Sequence, residues 1–250
     1  MNKNWQKLIR SLQLKKFRKK EGLFIVEGRK NVLELLNSDF QTEALFYTKE
    51  FAEENPKRLS FLKCMQEETS ITNLERNGSL KSNNQVIAVV KTRDNQLDLP
   101  GLTEVTLVLD DVRDPGNLGT IIRIADWYGI KNIVCSPETA DFYNPKVILA
   151  SMGSFTRVKL FYQHLDLFFD QLPKKFETIG AFMEGKNIHD YAFNSPSVIV
   201  LGNESRGINP DLEKYVNERV SIPSFGGAES LNVGVATAIF CDHFRRQIKP

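Results

Sequence analysis

The run Val198-Ile199-Val200-Leu201, closed by Gly202, contains no polar side chain. A strand with one face in water alternates apolar and polar residues. A strand without alternation is buried on both faces, as in a parallel sheet covered by helices. "EVTLVLDDV" at 104–112 and "NIVC" at 132–135 read the same way. Between them lies "LGTIIRIADWYG", 118–129, with Ile121, Ile124, Ala125 and Tyr128 on one helical face. Then come "NPKVILASMGS" as a short helix, "VKLFY" as a strand, "LDLFFDQL" as a helix, and "FETIGAFM", "PSVIVLG" and "ERVSIP" as strands. A last helix runs from about Leu231 to Gln247. This alternation predicts a parallel α/β domain, whose ligands bind beyond the carboxyl ends of the strands.

The polar stretch "KTRDNQLDLPGLTEV", 91–105, carries a Pro-Gly turn and separates this region from an earlier one. The expected division is a domain over 1–94, a linker over 95–104 and a second domain over 105–250. In the first, "KLIRSLQLKKF" reads as one helix, "GLFIVEG" as a strand, "RKNVLELLNS" as an amphipathic helix and "TEALFYT" as a strand; "QVIAVVK" ends the domain. This is a smaller α/β unit. Charge divides the same way. Residues 1–94 hold 18 Lys and Arg against 12 Asp and Glu, a balance of +6; the rest hold 15 against 19, a balance of −4. The cluster Lys15, Lys16, Arg18, Lys19, Lys20 reads either as a solvated helix face or as an arm that neutralises phosphates.

Three widely spaced cysteines outside any C-x-x-C argue for a reducing compartment and against a disulfide framework or zinc site. The three histidines form no helical metal pair, so no metal is expected. The basic N-terminus has no apolar core of a signal peptide and no apolar run approaches a membrane span, so the expected location is the cytoplasm.

Three loops follow predicted strand ends. In "DDVRDPGNLGTIIR", Pro115 and Gly116 turn the chain and Asn117 is a candidate helix cap. Arg123 lies off the apolar stripe, as a surface arginine or a ligand group. In "VIVLGNESRGI", Glu204 sits between Gly202 and Gly207. In "SIPSFGGAESLNVGVATAIF", Ser230 and Asn232 stand at the mouth of a small-residue helix, either capping it or facing a ligand. No G-x-G-x-x-G, Walker loop, G-x-S-x-G or H-E-x-x-H is present, so dinucleotide, triphosphate and common hydrolase chemistries have no support.

Taken together, "NLGTIIR", "VLGNESRGI" and "IPSFGGAESLNVGVATAI" closely resemble the three motifs of the SpoU (TrmH-like) RNA 2′-O-methyltransferases of the SPOUT superfamily, over residues 105–250. "SLQLKKFRKKEGLFIVEGRKNVLELL" is similar to the L30e-like RNA-binding domain that often precedes that catalytic domain. The resemblance implies methyl transfer from S-adenosylmethionine to a ribose 2′-hydroxyl, a homodimer, and a deep C-terminal trefoil knot. It places Arg123 against the nucleotide, with Asn117, Glu204, Ser230 and Asn232 as the other polar motif positions, and Gly202, Ile222 and Leu231 around the adenosine. Lys15, Lys16, Arg18, Lys19 and Lys20 become candidate RNA contacts. The separate N-terminal domain favours ribosomal RNA; transfer RNA and a non-catalytic RNA-binding or ribosome assembly factor are the alternatives. One departure stands out. The family's last motif usually reads S-L-N-V-S-V-A, and here Gly234 replaces the second serine. Glycine inside a helix costs about 1 kcal/mol relative to alanine.

Overall fold

The computed structural model describes residues 1–82, 85–102 and 104–248. It falls into two compact units: Met1–Asp94 with Asp141–Thr156, and Asn95–Ala140 with Arg157–Pro250.

The first unit opens with α1 (Lys3–Ser11) and α2 (Lys15–Glu21), where the sequence predicts one continuous helix. Ile9 and Leu12 are both fully buried, and the Ser11 hydroxyl donates back to the Leu8 carbonyl at 2.7 Å, closing α1 before the chain turns. Next come β1 (Leu23–Glu27), α3 (Arg29–Leu36), β2 (Thr42–Tyr47), α4 (Lys49–Glu54), α5 (Pro56–Ser60), β3 (Met65–Glu68), α6 (Ile71–Asn77) and β4 (Val86–Lys91). The sheet order is β1-β4-β2-β3. The central strand β4 runs antiparallel to β1 and β2, and β3 joins parallel to β2. Val86–Val90 are all buried, and Ile9, Leu12, Ile25, Phe46 and Leu74 pack with Ile87 and Val89 into one core.

α2 corrects one expectation. Lys15, Lys16, Lys19 and Lys20 are exposed, but Arg18 points inward and is only 3% exposed. Its Nη1 donates to the carbonyls of Leu12 and Gln13 at 2.8 and 2.9 Å. Its Nε and Nη2 donate to Asp141 Oδ2 at 3.0 and 2.5 Å. Four of the five guanidinium N–H groups are engaged in this way, so Arg18 anchors the fold instead of presenting its charge to solvent as the lysines do.

The second unit contains β5 (Val105–Leu109), α7 (Pro115–Trp127), β6 (Asn132–Cys135), β7 (Lys159–Tyr162), α9 (Leu165–Gln171), β8 (Glu177–Asn187), β9 (Ser197–Leu201), β10 (Glu218–Ser221) and α10 (Val233–Gln247); α8 (Pro145–Ala150) precedes β7 in the chain. The sheet order is β10-β8-β9-β5-β6-β7, with every neighbouring pair parallel. β5 and β9 are buried at every position, as their lack of alternation predicts. Val108, Val134, Val198 and Val200 pack against Leu165, Phe168, Phe169 and Phe176 in one core. α7 buries Leu118, Gly119, Ile121, Ile122 and Ala125; Ile124 and Tyr128 of the predicted stripe are half-buried and Arg123 is exposed.

The observed division groups the expected linker, 95–104, with the second unit, and one further segment differs from the expectation. Asp141–Thr156, which carries α8, belongs to the first unit. Besides Asp141 it contributes Tyr143, whose hydroxyl accepts from the Arg93 backbone N–H at 2.7 Å and donates to the Arg93 carbonyl at 3.0 Å. The Tyr143 ring lies 4.6 Å from that of Phe24, and Phe155 sits 5.8 Å from Phe40.

At the carboxyl end of β5, Asp110 is 7% exposed and accepts from the Asn209 backbone N–H at 2.6 Å. Burial pushes its carboxyl above the usual value despite that hydrogen bond. The folded state therefore holds this proton to higher pH than the unfolded chain, and the group's stabilising contribution, full at low pH, is lost as pH rises through the raised pKa. Asp110→Asn, which keeps an acceptor, is expected to match or exceed the wild type in stability at neutral pH and to lose that pH dependence. Asp110→Ala orphans the Asn209 N–H and should cost about 1–3 kcal/mol. Urea denaturation across pH checks both.

Candidate active site

Because the second sheet is parallel, the loops after β5, β9 and β10 leave from the same edge. Each loop is locally determined. Pro115 occupies the first turn of α7, and the cap is Asp114, whose Oδ1 accepts from the Asn117 N–H at 2.8 Å. Asn117, expected from sequence to be the cap, instead stands in the first turn with its side-chain amide free to reach outward.

The loop after β9 closes on itself: Asn203 and Gly207 exchange backbone hydrogen bonds at 2.9 and 2.8 Å. A Cβ on Gly202 would stand 2.1 Å from the Gly207 carbonyl carbon and 2.2 Å from the Ile208 nitrogen, so only glycine fits. Asn203 is a working part of this loop that the motif pattern alone does not single out. Its Oδ1 accepts from the Ser205 and Arg206 N–H groups at 2.9 and 3.2 Å, and its Nδ2 donates to the Asp111 carbonyl at 2.9 Å. An asparagine in a glycine-bounded loop is the signal that marks such a turn.

The loop after β10 ends at Asn232, which caps α10: its Oδ1 accepts from Gly234 N at 2.9 Å and Val235 N at 3.4 Å. That oxygen being committed, Nδ2 is the outward atom, and it donates to Asn117 Oδ1 at 2.9 Å. Asn117 Nδ2 in turn donates to Glu204 Oε1. An amide offers one acceptor and one donor end, and a carboxylate only accepts, so the chain Asn232–Asn117–Glu204 runs in a single direction. It ties all three loops together.

The other motif positions are placed differently. Arg123 and Ser230 are exposed, and neither side chain has a hydrogen bond or ion pair among the described residues. Ile222 is half-buried and Leu231 is 47% exposed. The backbone N–H groups of residues 224–231 have no acceptor within the described chain. A loop of free main-chain donors that follows Ile222 and ends at Leu231 fits a nucleoside cofactor recognised through the backbone. Gly234 also finds a reason. A Cβ there would lie 3.2 Å from the Thr120 methyl of α7 and 3.1 Å from Asn232 Oδ1, so its absence lets the two helices approach. Lys15, Lys16, Lys19 and Lys20 lie on α2 and so belong to the first unit. Among the described residues no group of His, Cys, Asp and Glu could hold a metal ion.

Comparison with known proteins gives this geometry a family. Residues 104–242 match the SpoU rRNA Methylase family and residues 4–92 the MRM3-like substrate binding domain. The chain is 28% identical to the 23S rRNA (guanosine(2553)-2′-O)-methyltransferase of Bacillus subtilis, over 97% of this chain and 95% of that one. A solved TrmH-family structure from Porphyromonas gingivalis is 32% identical, with a TM-score of 0.86 and 99% of each chain covered. The AdoMet-bound rRNA methyltransferase of Sinorhizobium meliloti is 26% identical, with a TM-score of 0.87, covering 99% of this chain and 96% of that one. Three strand-end loops joined through Asn117, on a six-stranded parallel sheet, thus sit in a chain that belongs to the SpoU methylase family.

Proposed function

We propose that this protein transfers a methyl group from S-adenosylmethionine to a ribose 2′-hydroxyl of ribosomal RNA. The observation that carries the reading is an unpaired, exposed Arg123 on the same helix as Asn117, whose side chain joins the loops after β5, β9 and β10. The relatives whose names specify rRNA support the substrate class.

A ribose hydroxyl is a poor nucleophile at neutral pH and has to lose its proton as the methyl arrives. The cofactor, when bound, supplies an electrophilic methyl; Gly202, Ile222, Leu231 and the free backbone N–H groups of 224–231 would hold it. Arg123 is too basic to take a proton. Its guanidinium donates to the substrate's 2′-oxygen and the adjoining phosphate, and a phosphate oxygen receives the proton. Glu204, Asn117 and Asn232 fix the loops that present these groups, and Ser230 faces the ribose. Alignment of this kind contributes up to roughly 7–11 kcal/mol in favourable cases. The first unit supplies RNA affinity through Lys15, Lys16, Lys19 and Lys20.

The same reading makes the working species a homodimer. Trp127 on α7 (84% exposed) and Val235 on α10 (49%) are large apolar groups left to a second copy. It also has the segment after β10 threaded as a trefoil knot, which an experimental structure with an unthreaded path would overturn. No described helix is long and apolar enough to cross a membrane; the cytoplasm is the proposed location, and cell fractionation tests it.

Arg123→Ala is expected to lower methyl transfer by about a hundred- to a thousandfold while leaving cofactor affinity unchanged. Tritium transfer from labelled S-adenosylmethionine and calorimetry read the two; normal turnover by the variant would sink the assignment. Replacing Lys15, Lys16, Lys19 and Lys20 with glutamine should flatten the log–log salt dependence of RNA binding by about 3, near 0.7 for each phosphate no longer neutralised. Light scattering should give about twice 28.5 kDa for the active protein, and an active monomer contradicts the dimer.

A further inference from the structure

Phe225 stands 95% exposed in the loop that joins β10 to the Asn232 cap of α10. Of the 17 phenylalanines, Phe61 and Phe225 are the exposed ones among the described residues, and Phe225 meets no other ring there. Both ends of its loop belong to the site. Ile222 lies three residues before it, so the two Cα atoms are within about 11 Å, and Asn232 closes the loop as part of the hydrogen-bonded chain. Its flanks are Ser224, Gly226 and Gly227, where a Cβ on either glycine would meet nothing within 4 Å. The stretch 224–230 carries no other apolar side chain larger than Ala228.

A large apolar ring in water, alone on a polar loop, is a poor seed for a protein interface, which needs a contiguous apolar core. It is a good platform for one flat partner. Unstacked bases of single-stranded RNA are held in this way on aromatic side chains, and such stacking tolerates any base. We infer that Phe225 stacks on the base attached to the ribose being methylated, holding the flipped-out nucleotide so that its 2′-oxygen meets Arg123. This rests on the methyltransferase reading of the site. Phe225 is then a substrate-binding residue that positions the nucleotide and takes no part in the proton transfer.

The test compares wild type with Phe225→Ala, Phe225→Leu, Phe225→Tyr and Phe225→Trp on unmethylated large-subunit rRNA transcribed in vitro, reading KM and kcat for the RNA, cofactor affinity and oligomeric mass. Phe225→Ala and Phe225→Leu are expected to raise KM about ten- to a hundredfold. Phe225→Tyr and Phe225→Trp should restore it, with cofactor affinity and mass unchanged throughout. Restoration by leucine would mean that only apolar bulk matters and overturns stacking. An unchanged KM in Phe225→Ala overturns the inference alone, as does a fall to half the mass, which would assign the ring to a contact between copies. No transfer by the wild type would overturn the methyltransferase reading, and this inference with it.

Discussion

The site depends on how the first turn of α10 satisfies its backbone. Helix N-termini leave N–H groups without partners, and here the Asn232 oxygen takes two of them. That commitment fixes which way the Asn232 amide points, hence which end of Asn117 it meets, hence which end Asn117 offers to Glu204. A backbone requirement at one helix end thus sets the orientation of three side chains on three loops. Asp114 does the equivalent at α7 and leaves the Asn117 side chain available.

The site's polar groups divide into two populations. Asn117, Glu204, Asn232 and Asn203 spend their hydrogen-bonding capacity on one another and on loop backbone. Arg123, the Ser230 side chain and the backbone N–H groups of 224–231 are bonded to nothing in the described chain. The first group makes a frame whose geometry exists before any ligand arrives, which is what catalysis by positioning requires. The second group is what a ligand would meet.

Much of this is readable in the sequence, for identifiable reasons. The unalternating strands "VTLVL" and "VIVL" are buried on both faces and announce a parallel sheet, and a parallel sheet collects its strand-end loops on one edge. What resists reading is the choice among adjacent equivalents. "DPGN" offers two capping residues, and only the rule that proline favours the first helical turn selects Asp114 over Asn117. "ESLN" likewise offers Ser230 and Asn232, and the helix begins two residues later than a serine cap would place it. Five basic residues in "KKFRKK" look alike in composition. That Arg18 alone turns inward depends on Asp141, 123 positions away, and no local pattern carries that information.

The membership of Asp141–Thr156 in the first unit has a consequence for how the protein is made. A chain leaving the ribosome from its N-terminus completes β4 at Lys91, yet at that moment Arg18 has no carboxylate, and Phe24 and Phe40 lack Tyr143 and Phe155. Sixty-two residues separate Asp94 from Thr156, which at ~5–20 residues per second is a wait of about 3–12 s. Throughout that interval β5, α7 and β6 of the second sheet are emerging while the first unit is still short of a wall. The two units cannot mature one after the other. The earlier one is finished by a segment delivered from the middle of the later one, and so their folding is coupled through the order of translation.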